Sequence, residues 1–221
     1  EDLTAKKELA LEVIDRLKKE YPDAGCTLDY DHAWQLLVSV RLAAQCTDAR
    51  VNIVVEDLFA RYPSVAALAA AEPEDIEAIV KPCGLGHSKA RDISACMRML
   101  RDKYNCQVPT TFEELLALPG VGRKSANLIM GDVFGEPAIV TDTHCIRLCN
   151  KIGLVDGIKE PQKVEMALWK IIPPEEGSDL CHRFVMHGRA VCNARKPECE
   201  KCCLNDICRY AREQSGADTA Q

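Results

Sequence analysis

Four cysteines near the C-terminus have a spacing that suits the binding of a metal centre. They follow the pattern Cys-x6-Cys-x2-Cys-x5-Cys, at Cys192, Cys199, Cys202 and Cys208. A short, loop-rich segment that contains Pro197 cannot bury four thiols in an apolar core of its own, but it can wrap them around a metal. Zinc sites usually contain two paired Cys-x2-Cys arms, and only one such pair is present here. The unequal gaps favour a [4Fe–4S] cluster over zinc and over plain buried thiols.

Two cations lie inside the first gap of this pattern, at Arg195 and Lys196. A metal centre that pins both ends of the loop would present them rigidly, which suits contact with phosphate. The alternative is a solvated pair of charges. Cys203 is adjacent to Cys202 and left over from the pattern, so we do not expect it to be a ligand.

The stretch LPGVGRKSA, residues 118–126, places two glycines and two cations between apolar segments. It is neither a Walker A loop, because Arg123 follows Gly122, nor a dinucleotide fingerprint, which would need a third glycine at Ser125 and a preceding strand. The pattern instead predicts a helix, a tight turn and a second helix. Gly120 and Gly122 permit positive φ and close backbone approach, so the freed amides and the second helix's N-terminus can bind a phosphate. This is a helix-hairpin-helix, which grips a nucleic-acid backbone without reading its sequence.

Lys124 lies at the start of the second helix of the hairpin, beside Arg123. The positive end of the helix dipole, the neighbouring guanidinium and partial burial would each disfavour the protonated amine. A neutral lysine amine is a nucleophile that can form a Schiff base. The alternative is that Lys124 only contacts phosphate.

Asp142 immediately precedes another predicted helix, eighteen residues after Lys124. Aspartate is favoured at the N-cap position, and we expect Asp142 to be an N-cap. An aspartate held in this way is oriented and kept ionised, so it can also stabilise a cationic centre or assist a nucleophile.

The elements that position these residues are predicted to be helical almost throughout. Apolar residues recur every three or four positions in one segment after another, and prolines and glycines mark the ends. Ser88 is expected to cap a long helix, and Thr111 with Glu114 has the pattern of a capping box. No alternating strand pattern of useful length is present, so the predicted fold is all-α. The last eleven or so residues are expected to be disordered.

Composition limits the class of protein without deciding its function. No apolar run is long enough to span a membrane, and the N-terminus lacks the order of a signal peptide, which argues for an intracellular protein. The formal net charge is −6. Charge is nevertheless segregated, with six Lys/Arg against two Asp/Glu between Lys81 and Lys103. A basic face on an acidic molecule is therefore compatible with the sequence.

Four stretches together resemble the endonuclease III family, bifunctional DNA glycosylase/AP lyases of the helix-hairpin-helix superfamily. They are LPGVGRKSAN, TDTH, MHGRAVCNARKPECEKCCLNDIC and the upstream LLVSVRLAAQCTD, and the similarity runs from about Leu9 to Tyr210. The resemblance implies a bilobed all-α fold with a C-terminal [4Fe–4S] cluster loop. A six-helix domain over residues 26–136 would hold the hairpin. Residues 1–25 and 137–221 would form the cluster domain, with DNA across the cleft between the two.

The resemblance also implies an activity in base excision repair. The enzyme would remove oxidised pyrimidines from duplex DNA and cleave the abasic site by β-elimination through a lysine Schiff base. Its partner would be double-stranded DNA with damaged pyrimidines or abasic sites. It would act as a monomer, away from membranes, and in a prokaryote it would be cytoplasmic and associated with the nucleoid. The alternatives are an adenine-mismatch glycosylase relative, a non-catalytic iron–sulfur DNA-binding protein and a zinc-binding interaction module.

Individual roles follow from the same resemblance. Lys124 matches the family's catalytic lysine and Asp142 its catalytic aspartate. Gln45 matches a residue that fills the gap left by the extruded nucleotide, Leu85 a wedge inserted into the duplex, and His144 a residue lining the site. The four patterned cysteines match the cluster ligands.

The chain departs from the family pattern at three places. Cys46 stands where alanine is frequent, Thr141 where valine is common, and Gly86-His87 alters the wedge loop. None of these changes removes a chemical group that the reaction needs, but they bear on which damage and which opposite base are preferred.

Overall fold

Helices account for all the regular structure in residues 3–216, the part of the chain that the computed structural model describes. Those residues form twelve α-helices and three short 3₁₀ turns, with no β-strand. The prediction of an all-α fold is confirmed. The described residues divide into two compact units, one from Cys26 to Phe134 and the other made of residues 3–25 and 135–216.

The first unit contains the hairpin and has its own apolar core. Its helices are α2 (Ala33–Ala43), α3 (Asp48–Arg61), α4 (Val65–Ala70), α5 (Pro73–Val80), α6 (Gly86–Lys103), α7 (Phe112–Leu116) and α8 (Arg123–Asp132). Helix α6 contributes a stripe at helical spacing, Ala90, Ile93, Met97 and Leu100, each 2% exposed or less. Burial of such a stripe is what fixes a helix in a small core.

Side chains cap several helices of this unit. The hydroxyl of Thr47 accepts from the Arg50 amide at 3.2 Å, and that of Thr111 accepts from the Glu114 amide at 3.3 Å. The predicted cap at Thr111 is therefore present. The predicted cap at Ser88 is wrong, because α6 begins at Gly86 and Leu85 occupies the N-cap position.

The other unit packs five helices around a second core. They are α1 (Leu3–Glu20), α9 (Thr143–Ile152), α10 (Pro161–Trp169), α11 (Gly177–Ala190) and α12 (Arg209–Gln214). The expected C-terminal disorder is wrong for the residues that form α12, and the part of that expectation beyond Gly216 lies outside the described residues. None of the helices within residues 3–216 has the length and apolar character that crossing a bilayer requires.

Candidate active site and cluster loop

The hairpin turn rests on α6 through its first glycine. Gly120 has φ +76°, and a Cβ added there would lie 2.8 Å from the Cβ of Asp92. The Asp92 carboxylate in turn accepts from Nε of Arg41 on α2 at 2.7 Å. The turn closes with the Val121 amide donating to the Leu118 carbonyl at 3.2 Å. Glycine is required at 120 both by the left-handed conformation and by close packing.

The second glycine of the turn has a different setting. Gly122 is the N-cap of α8, with φ −94° and ψ −177°, which any residue can adopt. A Cβ added there would meet nothing within 4 Å. No side chain caps α8, and the first amides of a helix have no partner within the helix. The protein's own packing therefore leaves the backbone at 122 open to a molecule from outside.

Lys124 lies in the first turn of α8 and is exposed to solvent. The expected partial burial of this side chain is wrong, because its position on the helix faces away from the buried residues Ala126 and Ile129. Among the described residues, the Lys124 amine has no hydrogen-bond or ion-pair partner. The guanidinium of the neighbouring Arg123 lies 5.0 Å from the centre of the Phe112 ring, a cation–π contact that orients it.

Asp142 is the N-cap of α9, as predicted, and its Oδ1 accepts from the Cys145 amide at 2.8 Å. This bond fixes the carboxylate at the positive end of the helix dipole. Two residues on, Nδ1 of His144 lies 3.0 Å from a guanidinium nitrogen of Arg147. The same Arg147 nitrogen donates to the carbonyl of Cys192 at 2.9 Å. A single helix thus joins Asp142, His144 and the start of the cysteine loop.

Gln45 and Leu85 share an uncommon backbone conformation. Gln45 follows α2 with φ +57°, and Leu85 precedes α6 with φ +50°. Both side chains are exposed, Leu85 by 55%, which is unusual for a large apolar residue. A leucine in the left-handed region is a backbone outlier, and such strain persists only where surrounding contacts impose it.

The four patterned cysteines lie close enough for their charges to act on one another. Burial, with smaller contributions from the nearby Cys192 and Cys208, raises the pKa of the Cys202 thiol to about 12. Burial likewise raises the pKa of Cys192 and of Cys208, and at both sites Cys199 adds to the shift. Buried thiols of this kind stay protonated unless a cation compensates the thiolate charge. Within residues 3–216 no group of three or more His, Cys, Asp or Glu side chains is arranged to hold a metal ion.

Residues outside the cysteine pattern support this loop. Nε2 of His187 lies 3.1 Å from Sγ of Cys202, and Nδ1 of the same ring lies 2.8 Å from the Tyr21 hydroxyl. Burial lowers the pKa of His187, which favours the neutral ring. Cys203, by contrast, has its carbonyl bound by Arg16 of α1 at 3.0 Å.

The loop between Cys192 and Cys199 presents its two cations to solvent. Arg195 and Lys196 are both exposed, and the Lys196 amide donates to the Asn193 side chain at 2.8 Å, which shapes the turn. Neither side chain forms an ion pair with another described residue. They lie in the same unit as Asp142 and His144, whereas Lys124, Gln45 and Leu85 lie in the unit from Cys26 to Phe134.

Comparison with known proteins places these features in a family. Residues 38–174 match the HhH-GPD superfamily base excision DNA repair protein family. Endonuclease III of Synechocystis sp. is 43% identical over 95% of this chain and 96% of its own length. Endonuclease III of Escherichia coli K12 is 38% identical over 90% of this chain and 94% of its own length.

This chain belongs to the endonuclease III family. Membership confirms the prediction of a DNA glycosylase/AP lyase of base excision repair. A solved non-covalent endonuclease III–DNA complex superposes with a TM-score of 0.89 at 40% identity, over 95% of this chain and 98% of the other. A thermostable thymine-DNA glycosylase superposes with a TM-score of 0.83 at 21% identity, which shows a shared fold alone.

Three residues that support the site in this endonuclease III family member were missed by the sequence reasoning. Arg147 and His187 contact the cysteine loop, and Lys89 lies buried between the Gln45 and Leu85 loops. The only sequence signal for His187 is its place five residues before Cys192. Lys89 stands in the polar stretch HSKARD, which predicts a solvent-exposed helix face.

Proposed function

We propose that this protein releases oxidised pyrimidines from duplex DNA and cuts the resulting abasic strand, with Lys124 as the nucleophile and Asp142 as its electrostatic partner. The observation that carries the proposal is the start of α8. There an open glycine N-cap, a backbone amide terminus and an exposed, unpaired lysine amine follow one another within three residues.

The reaction begins with extrusion of the damaged nucleotide, because its C1′ cannot be reached inside the duplex. The neutral amine of Lys124 attacks C1′, and the bond to the base breaks with the electron pair leaving on the base. Rearrangement of the resulting aminal opens the sugar and gives a Schiff base between Nζ and C1′. The Schiff base acidifies the 2′ hydrogen, and its removal expels the 3′ phosphate by β-elimination.

Asp142 serves this chemistry through its fixed negative charge. A cationic, oxocarbenium-like sugar forms as the base departs, and a carboxylate held by the Cys145 amide needs no reorganisation to stabilise it. The same carboxylate can accept the proton that Nζ of Lys124 loses as it bonds to C1′. In this proposal His144, two residues along α9, lines the site.

DNA is held mainly by its backbone. The amides at Gly120 and Gly122 with Arg123 bind one phosphate at the hairpin, and Arg195 and Lys196 contact another part of the strand. Leu85 enters the duplex as a wedge, and Gln45 fills the space left by the extruded nucleotide. The partner is double-stranded DNA with damaged pyrimidines or abasic sites, and the protein acts as a monomer in the cytoplasm.

The cysteine loop fits a [4Fe–4S] cluster held by Cys192, Cys199, Cys202 and Cys208. Four sulfurs that interact electrostatically are a donor set that a cluster's positive charge would stabilise as thiolates, and burial raises the pKa of three of them, Cys192, Cys202 and Cys208. Lys151 and Arg147 further favour the thiolate of Cys192. When bound, the cluster supplies iron–thiolate bonds that fix the loop carrying Arg195 and Lys196. A visible absorption spectrum and an iron-to-sulfide analysis of purified protein test this assignment against zinc.

Borohydride trapping tests the catalytic proposal directly. Incubation with duplex DNA containing thymine glycol, in the presence of borohydride, should reduce the Schiff base to a stable covalent protein–DNA adduct. Lys124→Ala should give none. Lys103→Ala, which removes another exposed lysine of the same unit, should trap like the native chain. An untrapped native chain, or undiminished trapping by Lys124→Ala, contradicts the role of Lys124.

A further inference from the structure

Lys89 is a fully buried cation on α6, with 0% of its surface exposed. Its ammonium donates to the carbonyl of Leu42 at 2.8 Å and to the carbonyl of Cys83 at 2.9 Å. No carboxylate forms an ion pair with it among the described residues. Burial lowers the pKa of this side chain, as expected for an ammonium removed from water without a negative partner.

A buried charge without a counter-ion is a poor way to stabilise a core. Removing an ammonium from water is unfavourable, and two carbonyl dipoles offset only part of the lost hydration. An apolar side chain of similar length would fill the same space without a charge. The presence of lysine here therefore calls for an explanation other than packing.

The two carbonyls that Lys89 binds belong to the segments that lead into the loops of Gln45 and Leu85. Leu42 is in the last turn of α2, three residues before Gln45. Cys83 ends the 3₁₀ turn Lys81–Cys83, two residues before Leu85. The backbone amide of Lys89 also donates to the Leu85 carbonyl at 3.0 Å. One residue thus contacts both loops, one of them twice.

Both loops contain a residue in a strained, left-handed backbone conformation, which the contacts of Lys89 would help to maintain. Gln45, Leu85, Asn105 and Cys106 are the four non-glycine residues with positive φ in the described part of the chain. Two of these four follow the carbonyls held by Lys89, Gln45 three residues after Leu42 and Leu85 two residues after Cys83. A left-handed Leu or Gln is energetically unfavourable and relaxes unless the surroundings hold it.

We propose that Lys89 is a positioning residue that fixes the Gln45 and Leu85 loops relative to each other, so that both side chains enter the duplex together when a nucleotide is extruded. The proposal rests on the DNA glycosylase function proposed above. Lys89 does not touch the substrate. It acts by holding two carbonyls to one ammonium, which sets the spacing between Gln45 and Leu85.

The test separates extrusion from chemistry with Lys89→Met, which keeps the stem and removes the donors. Duplex abasic DNA requires both loops, whereas single-stranded abasic DNA presents its sugar without extrusion. We expect borohydride trapping on the duplex to slow at least tenfold and trapping on the single strand to stay within about twofold of native. Placing 2-aminopurine opposite the abasic site should give a stopped-flow fluorescence rise with native protein and a much smaller one with the variant.

Arg98→Met is the matched control. Arg98 lies on the same helix and also donates to two backbone carbonyls, those of Ala69 at 3.1 Å and Ala71 at 3.4 Å, at the end of α4. Its loss should lower thermal stability without changing the ratio of duplex to single-strand trapping. A Lys89→Met protein with the native ratio overturns the proposal, as does an equal slowing on both substrates.

A double-mutant cycle with the two loops adds a second readout. If Lys89 acts through Gln45 and Leu85, Lys89→Met should add no further slowing to the Gln45→Ala/Leu85→Ala protein. Full additivity contradicts the proposal. Lys89→Gln, which keeps N–H donors on a shorter stem, replaces Lys89→Met if that variant does not fold. Failure of both to fold would make Lys89 a folding residue and overturn the proposal. Absence of trapping by the native chain on either substrate would instead count against the proposed function.

Discussion

The two glycines of the hairpin are glycines for different physical reasons. Gly120 has positive φ and packs against Asp92, so the fold itself requires it. Gly122 has an ordinary conformation with open space where a Cβ would stand. Only an approaching molecule would meet a side chain there. The fold therefore requires glycine at 120, whereas any requirement for glycine at 122 would come from a bound ligand.

Alanine substitutions test this distinction. Gly120→Ala should lower the free energy of unfolding by about 1–3 kcal/mol, through a strained φ and contact with Asp92. Gly122→Ala should change it by less than about 0.5 kcal/mol, because a poorer N-cap offsets the entropy lost by the unfolded chain. Gly122→Ala should nevertheless weaken binding to a duplex with a tetrahydrofuran abasic analogue by at least about tenfold, through one lost phosphate contact. Urea unfolding and fluorescence anisotropy measure the two effects, and native affinity in Gly122→Ala would exclude this phosphate contact.

The N-cap role of Asp142 can be separated by substitution from the catalytic role proposed for it. Asn caps helices as well as Asp does, so Asp142→Asn should leave thermal stability unchanged while trapping with duplex DNA slows by about 10²-fold or more. Asp142→Ala should lose the cap as well, at a cost of about 1 kcal/mol. Single-turnover trapping and thermal unfolding distinguish the two variants. A native trapping rate in Asp142→Asn would reduce Asp142 to an N-cap.

Helix α9 links the Asp142 carboxylate to the cysteine loop, and its packing against α11 is close. Gly188 on α11 leaves room for His144 and Arg147: a Cβ there would lie 2.7 Å from Nδ1 of His144 and 2.9 Å from a guanidinium nitrogen of Arg147. The Gly188 carbonyl also accepts from Arg147 at 3.4 Å. The absence of a side chain at 188 therefore keeps Arg147 in reach of the Cys192 carbonyl.

Gly188→Ala should consequently destabilise this unit despite alanine's better helix propensity. Propensity favours alanine by at most about 1 kcal/mol, whereas forcing two helices apart costs about 1–3 kcal/mol. Thermal unfolding followed by circular dichroism should show a lower midpoint. Gly25→Ala, where a Cβ meets nothing within 4 Å, is the control and should be neutral. A Gly188→Ala midpoint at or above the native one would mean that the side chains of α9 move aside freely.

Elements and local motifs were largely predictable because their signals are local. Three-to-four-residue apolar spacing gave the helices, and a Thr-x-x-Glu pattern located the cap at Thr111. The start of α6 was not predictable, since it depends on a left-handed Leu85 that local preference disfavours and tertiary contacts impose. Burial of Lys89 and exposure of Lys124 escaped prediction for a related reason. Whether a lysine is buried depends on which carbonyls other helices bring to it, and local sequence does not record that.

Over the whole molecule, a net charge of −6 coexists with cations available to DNA. Several arginines and lysines are already paired, such as Arg41 with Asp92 at 2.7 Å and Arg209 with Asp156 at 2.7 Å. Lys124, Arg195 and Lys196 form no ion pairs with other residues among positions 3–216. A polyanion would be bound by the unpaired cations, and the net charge of the sequence does not reveal where these lie.

Buried thiols make the stability of the protein depend on pH in the alkaline range. Cys96 is 4% exposed, and burial raises its pKa from 9.0 to about 12. Between these values the folded state keeps the proton that the unfolded state loses. The unfolded state then binds fewer protons, so the free energy of unfolding falls as pH rises. Cys26, with a pKa raised to about 12 by burial, acts in the same direction.

Cys96→Ala should flatten this dependence. From pH 8 to pH 10 the Cys96 thiol should account for a fall of about 1.4 kcal/mol, which the variant should lack. Urea unfolding with reductant present, followed by Trp34 fluorescence in a Trp169→Phe background, reports on the unit that contains Cys96. Ser39→Ala, another buried position of that unit without a titrating group, should keep the native slope. The range stops at pH 10 because Lys89 has the opposite effect. Burial lowers the pKa of Lys89, so between that lowered pKa and its ordinary value of 10.5 the unfolded state binds more protons than the folded state. In that window the contribution of Lys89 to the free energy of unfolding rises with pH. An unchanged slope in Cys96→Ala would mean that its thiol ionises as readily in the folded state as in the unfolded one.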